Sequence, residues 1–440
     1  MSLHRPAMLH SQSTTFQTNA PAGQSFTASS YLRRALDASP EIQQARQAFE
    51  SSRHQWLSSV YSAALPTLSF TGTSYPYGHN PLNSYRFSSL RLNRSDMGFT
   101  TTASWNIFNS FQDYLTARSA RLAKDSSQFS LQAVLQNRAL EALGAFYDLS
   151  LKENLLSVTR QNLTAQKEQY DLSLDLYRNG LKSLADLLKS ETDWRSAQLR
   201  MASAQADYKN SLVRFNLLLD RPLLQPAALE TELAPGTTAL PSIDADLDRA
   251  LVLRPEVRKA QADLERGETV LKQSIRGNLL PSLTLTATWN REDPATYNQP
   301  GFALSAPNPN RQLFLGLSLP IDFNFFSQTH DVLASRADLR KTSAALSQAA
   351  REASRELHEA FIGLEQAIEE YHVSTLKETI AHRALRLVNE QYRQGSADAI
   401  RLAQAQLDYL EARVQKSRAL RDIFMLRLEY KVATGEPLWQ

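Results

Sequence analysis

Tyr31-Leu-Arg-Arg-Ala-Leu-Asp-Ala-Ser-Pro-Glu-Ile42 and Asp246-Leu-Asp-Arg-Ala-Leu-Val-Leu-Arg-Pro-Glu-Val257 are one phrase written twice, 215 residues apart. At the same offset Leu65-Pro66 meets Leu280-Pro281, Phe146 meets Phe361, Tyr177-Arg178 meets Tyr392-Arg393, Gly180 meets Gly395 and Pro222 meets Pro437. The offset drifts by a few residues between about 107 and 340, then returns. Register held at Pro, Gly and aromatic positions over such a distance marks an internal duplication. The chain divides into a polar N-terminal segment (1–30), a first repeat (31–222), a connector (223–245) and a second repeat (246–440). The connector carries Pro226, Pro235, Gly236 and Pro241, a loop-forming set.

Each copy has the same internal order. A helix over about 31–64, with Ser29 or Ser30 as N-cap, stops at Pro66; its counterpart, about 246–279, stops at Pro281. Pro40 and Pro255 lie inside these stretches and predict a break or a restart. Strands follow. Leu68 and Phe70 alternate with Thr67, Ser69 and Thr71, and Phe99 and Trp105 fall on one side of a strand whose other side is Thr100, Thr102, Ser104 and Asn106. In the second copy Leu283, Leu285 and Trp289 alternate with Thr284, Thr286 and Thr288, and Leu315, Leu317 and Leu319 with Phe314, Gly316 and Ser318. A period of two means a sheet with one apolar face and one face of hydroxyls and amides.

The chain then changes character. It has no proline from Leu82 to Arg221, nor from Ile321 to Glu436. Proline costs a helix interior ~3 kcal/mol, so its double absence predicts long helices. The apolar steps are three and four: Leu346, Ala350, Ala353, Leu357, Phe361, Leu364, Ile368, and again Leu407, Leu410, Val414. A continuous helix over Phe111–Tyr177 would rise ~100 Å at ~1.5 Å per residue. Gly180 and Gly395 break these runs at equivalent places and predict tight turns between antiparallel helices.

Composition excludes several classes. There are 440 residues, no Cys, a net charge of +3 and a mean hydropathy of −0.39. Disulfides, thiolate metal sites and a Cys nucleophile are ruled out, and so small a charge argues against nucleic-acid binding. No stretch is apolar enough for a transmembrane helix, although an alternating β-barrel would escape that test. Segment 1–30 lacks a 7–15-residue apolar core, so no secretory signal is expected in it; the chain is then either cytoplasmic or already processed. The eight His residues include no i, i+3 or i, i+4 pair. No P-loop, G-x-S-x-G or G-x-G-x-x-G is present. No catalytic, cofactor or metal site is predicted.

Four strands cannot close a barrel, and open edges are intolerable in hydrocarbon. If the apolar face meets lipid, several chains must pool their strands; otherwise it packs on a helix of a soluble domain. Helices ~100 Å long are far more than one small sheet needs. The duplicated order, together with Leu65-Pro66-Thr-Leu-Ser-Phe70, Leu280-Pro281-Ser-Leu-Thr-Leu285, Tyr177-Arg-Asn-Gly180-Leu181, Tyr392-Arg-Gln-Gly395 and Tyr430-Lys-Val-Ala-Thr-Gly435, resembles the TolC-like outer-membrane efflux family over about 31–438.

The resemblance implies a mixed α and β fold. A homotrimer would form a 12-stranded outer-membrane β-barrel continuing into a periplasmic α-helical coiled-coil barrel. It implies an exit duct of a tripartite efflux pump or type I secretion system, partnered by a periplasmic adaptor and an inner-membrane transporter. Leu68, Phe70, Phe99, Trp105, Leu283, Leu285, Trp289, Leu315, Leu317 and Leu319 would then face lipid. The entrance and adaptor contact would lie at Tyr177, Gly180, Leu181, Ser183 and Asp186, and at Tyr392, Gly395, Asp398, Arg401 and Gln404. Several family members carry an acidic ring where this chain has Arg401 and Gln404; Asp186, followed by Lys189, keeps a carboxylate in the first copy. Asp186 and Arg401 then either interact in a mixed-charge entrance or both point outward into water and contribute little. The alternatives are a periplasmic adaptor, which would need flanking β-rich domains, and a soluble coiled-coil scaffold, which leaves the strands unexplained.

Overall fold

The computed structural model describes residues 25–74, 97–230, 240–277, 281–292, 310–318, 325–394 and 396–439. The first half comprises β1 (Ser25–Phe26), α1 (Ala28–Ala38), α2 (Pro40–Ala64), β2 (Thr67–Ser74), β3 (Met97–Asn109), α3 (Gln112–Arg178) and α4 (Leu184–Leu218). After β4 (Ala228–Leu229) the order recurs as α5 (Ile243–Leu253), α6 (Pro255–Gly277), β5 (Ser282–Glu292), β6 (Asn310–Ser318), α7 (Phe325–Arg393) and α8 (Ala399–Ala433). The chain is mostly helical. α3 and α7 run for 67 and 69 residues, and α4 and α8 for 35 each.

Pro40 and Pro255 each occupy the first position of a helix, where the missing N–H has no intrahelical partner to lose. The residue before each proline leaves the helical region, which separates α1 from α2 and α5 from α6. The expected N-cap at Ser29 or Ser30 is corrected to Thr27. Its hydroxyl accepts from the Ser30 N–H at 3.2 Å, and the Ser30 hydroxyl accepts from the Thr27 N–H at 3.0 Å, so Ser30 is the return half of a capping box. β1 and β4, which pair in parallel through Phe26 and Leu229, fall in stretches read from sequence as polar tail and connector. Two residues are too few to show a period.

The described chain forms two compact units, each drawn from both halves. One comprises Met1–Ile42, Leu135–Ala250 and Arg355–Gln440; the other comprises Gln43–Val134 and Leu251–Ser354. The first unit contains the same core twice. Leu32, Ala35, Ala142, Phe146, Leu149 and Phe215 pack together, and their partners 215 residues on, Leu247, Ala250, Leu357, Phe361, Leu364 and Tyr430, do likewise. Besides Ala142 against Leu357, the copies differ where Phe215 corresponds to Tyr430 and Tyr31 to Asp246. Tyr31 stacks on Phe215 at 4.2 Å and donates to the Phe215 carbonyl at 3.1 Å, whereas Tyr430 donates to Asp246 Oδ2 at 2.7 Å. The hydroxyl has moved from one helix to the other.

The second unit carries a sheet of order β2-β3-β5-β6, antiparallel throughout. β3 turns into α3 through Ser110 and Phe111, both left-handed at φ 60° and 62°. Two consecutive non-glycine residues there are strained. The turn is held by the buried Ser110 hydroxyl, which donates to the Pro281 carbonyl at 3.1 Å, and by Asn109 Oδ1, which accepts from the Asp113 N–H at 3.1 Å.

Candidate functional site

Two regions hold the residues singled out by sequence, and each lies within one unit. In the sheet, strand register settles which side chains share a face. Leu68 lies opposite Ala103 and Phe70 opposite Thr101; Trp105 opposite Leu285 and Thr101 opposite Trp289; Leu285 opposite Leu315 and Leu283 opposite Leu317. Residues opposed across antiparallel strands project to the same side. Leu68, Phe70, Trp105, Leu283, Leu285, Trp289, Leu315 and Leu317 therefore form one continuous face, and the backbone of Phe99 is in register with it. Leu319 lies outside the described residues. The opposite face is Thr67, Ser69, Thr102, Ser104, Thr284, Thr286 and Thr288, with Phe314 as a departure.

The alternation fails once. A bulge between Asn106 and Phe108 inserts Ile107, so Phe108 rather than Ile107 comes opposite Leu283. A bulge adds one residue to one strand and resets its phase; nothing local in Trp-Asn-Ile-Phe announces it. The apolar face is bare. Leu313 is 75% exposed, Leu68 74%, Phe70 68% and Leu317 67%. A soluble sheet would bury these residues on a helix, and a bare apolar surface of this kind marks an interaction face. Among the described residues neither the outer edge of β2 nor that of β6 has a strand partner.

The second region is the hairpin ends. α3 closes on a Schellman motif: the Gly180 N–H bonds the Tyr177 carbonyl and the Leu181 N–H the Leu176 carbonyl, each at 2.9 Å, with Gly180 at φ 69°. This is the conformation glycine adopts at least cost. Gly395 lies outside the described residues, but the equivalent bond, from the Ser396 N–H to the Gln391 carbonyl, is present at 2.9 Å. Ser183 and Asp398, equivalent positions, are the N-caps of α4 and α8.

Asp186 completes a capping box. The Ser183 hydroxyl donates to its Oδ2 at 2.9 Å and accepts from its N–H at 3.2 Å. Asp398 Oδ1 accepts from the Arg401 N–H at 2.8 Å, and Gln404 Nε2 donates to Asp408 Oδ1 at 2.8 Å. Lys189 pairs with Asp193 one turn on. Among the described residues no ion pair joins Asp186 to Arg401 within the protomer; the carboxylate serves its own helix terminus. Tyr177 and Tyr392, equivalent in sequence, differ in setting: Tyr177 is exposed, while Tyr392 is buried beneath Lys182 Nζ, 4.4 Å from its ring centroid. That cation–π contact and the bond from Gln166 Nε2 to Gln406 Oε1, 2.8 Å, tie the two hairpins together. Sequence reading missed Lys182, Gln166 and Gln406, because partners 210 and 240 residues apart leave no local pattern. Leu181, Leu184 and Leu188 are exposed at the first hairpin's end.

A chain that carries both an antiparallel sheet with a bare apolar face and two long helical hairpins fits the class of outer-membrane proteins. The chain belongs to the outer membrane efflux protein family, whose pattern matches residues 31–220 and 247–424. Membership of that family places the protein in the outer membrane. The chain is similar to protein CyaE of Bordetella pertussis, 25% identical over 318 residues, and to nodulation protein T of Rhizobium leguminosarum bv. trifolii, 20% identical over 264. These matches cover 71% and 59% of this chain but only 65% and 54% of those relatives' own length. Its fold matches CusC (TM-score 0.78, 14% identity, 99% of both chains) and the Campylobacter jejuni CmeC outer-membrane channel (0.77, 16%, 99% of this chain and 94% of that one). The open state of the Neisseria gonorrhoeae MtrE outer-membrane channel also matches (0.75, 18%, 94% and 90%).

Proposed function

We propose that the chain is one protomer of a homotrimeric exit duct for an efflux pump or a type I secretion system. The duct is a passive channel. Substrates reach it from an inner-membrane transporter through a periplasmic adaptor. The observation that carries this reading is the bare apolar face on a four-stranded sheet with two open edges. Three copies supply 12 strands. In a sheet of four antiparallel strands the two edge strands run in opposite directions, so β6 of one copy can extend β2 of the next in the same antiparallel sense and leave no edge. The threonine face then lines a wet lumen, and Leu68, Leu315 and their neighbours meet lipid.

In this reading each repeat, 31–222 and 246–440, contributes two strands and one hairpin, and 223–245 links them. The hairpin ends, from Tyr177 to Asp186 and from Tyr392 to Gln404, form the periplasmic entrance, with Leu181, Leu184 and Leu188 available to an adaptor. Trp105 and Trp289 sit four registers apart, ~14 Å along the strands. That is short of a ~25 Å apolar band. The exposed Tyr61, Phe111 and Tyr114, at the strand–helix junctions, are better placed for one rim.

Two measurements test the proposal together. Light scattering in detergent should give three times the 49.4 kDa protomer mass after correction for bound detergent, and planar bilayers should record discrete steps of conductance. A stable monomer that keeps its β-structure, or a trimer that does not conduct, overturns it.

A further inference from the structure

We propose that Phe314 is a cargo-contacting residue of the duct, selecting aromatic cargo over aliphatic cargo of equal charge. The inference rests on the duct reading above and deepens it. Phe314 lies opposite Thr286 on β5, so it belongs to the hydroxyl face and not to the leucine face of its neighbours Leu313 and Leu315. Among the described strand residues of that face it is the one aromatic side chain, set among Thr284, Thr286, Thr288 and Gln312. It is 66% exposed. On a face that would be wet, an apolar ring gains nothing from lipid, and most of its surface is left open.

Gly316 explains how the ring is held. A Cβ added at 316 would stand 3.1 Å from Phe314 Cε1 and 3.6 Å from Cδ1. The ring therefore leans along its own strand over the glycine. A glycine inside a strand ordinarily weakens it and often marks a place that something approaches closely; here that is the Phe314 ring. Three-fold closure places three such rings at one level of the lumen. An aromatic cation passing there meets ring faces for stacking and cation–π contact, which hydroxyls do not offer.

The test uses the full-length trimer in planar bilayers with two monovalent cations, tetraphenylphosphonium and tetraethylammonium. Wild type should be blocked by tetraphenylphosphonium at a concentration about three- to tenfold lower than Phe314→Ser, the size of one aromatic contact. Tetraethylammonium should act equally on both. Gly316→Ala, which drives the ring off its strand, should lower conductance in the wild-type background and leave it unchanged in Phe314→Ser. A conducting wild type whose block by tetraphenylphosphonium is the same in Phe314→Ser overturns this inference alone. An equal effect of Gly316→Ala in both backgrounds overturns the placement of the ring. A wild type that never conducts overturns the duct reading, and this inference with it.

Discussion

Asp220 adopts φ 52° at the end of α4, where the second copy has Gly435 at φ 83°. The hydrogen bonding is the same: the Asp220 and Arg221 N–H groups reach Leu217 and Asn216, and those of Gly435 and Glu436 reach Val432 and Lys431. The first copy thus bears a left-handed β-carbon that the second avoids. Asp220→Gly should stabilise the protein by about 0.5–1 kcal/mol, read as a raised denaturation midpoint; a lowered one would mean the carboxylate makes a contact of its own. At the other divergent pair, Tyr430→Phe deletes a bond to a charged group and should cost about 1.5–3 kcal/mol. Burial, then the Asp246 carboxylate, raise the Tyr430 phenol above its ordinary 10.0. The folded state therefore holds this proton longer than the unfolded one. The associated stability is complete below pH 10 and is lost as pH climbs from there toward the raised value. Tyr430→Phe should flatten that alkaline decline, and an unchanged slope would assign it to other groups.

At the scale of elements, the strands divide the energetics by face. Leu315 and Thr286 lie on neighbouring strands of one sheet but project to opposite sides. Arginine at a lipid-facing midplane position costs ~2–4 kcal/mol, and much less on a lumenal side. Leu315→Arg should therefore lower folding stability in detergent–lipid mixtures far more than Thr286→Arg. Equal losses would contradict the assignment of faces. The helices tell a complementary story. α4 and α8 both begin three residues after the turn glycine's successor, at Leu184 and Ala399, and each is capped by an oxygen-bearing side chain. The caps diverge at the third helical position: Asp186 complements the positive end of its helix dipole, while Arg401 opposes it.

For the whole molecule, that divergence becomes a statement about transport. If the tips of three copies converge, Arg401→Glu exchanges three positive charges for three negative ones around the entrance, and fields of that size act on passing ions. Cation preference in bilayers should rise. The substitution also places an acidic group in the first turn of α8 and should steady that helix by about 0.3–1 kcal/mol. Unchanged ion selectivity in an intact trimer would show that Arg401 points away from the conduction path.

The duplication, the proline-free helices, the helix breaks at Pro40 and Pro255 and the two-sided strands were legible because each is a periodic or steric property of neighbouring residues. Polypeptide geometry repeats every 3.6 or 2 residues, and a side-chain pattern records that directly. The two-residue strands β1 and β4 and the bulge at Ile107 left no such record, being shorter than the period that would reveal them. The site divided in the same way. The turn glycines marked where the hairpins end. That Tyr392 is buried under Lys182 while Tyr177 is exposed, and that Gln166 meets Gln406, were decided only by tertiary structure. Those contacts join positions remote in the chain, and where helices of this length meet is set by packing between them rather than by anything written along one of them.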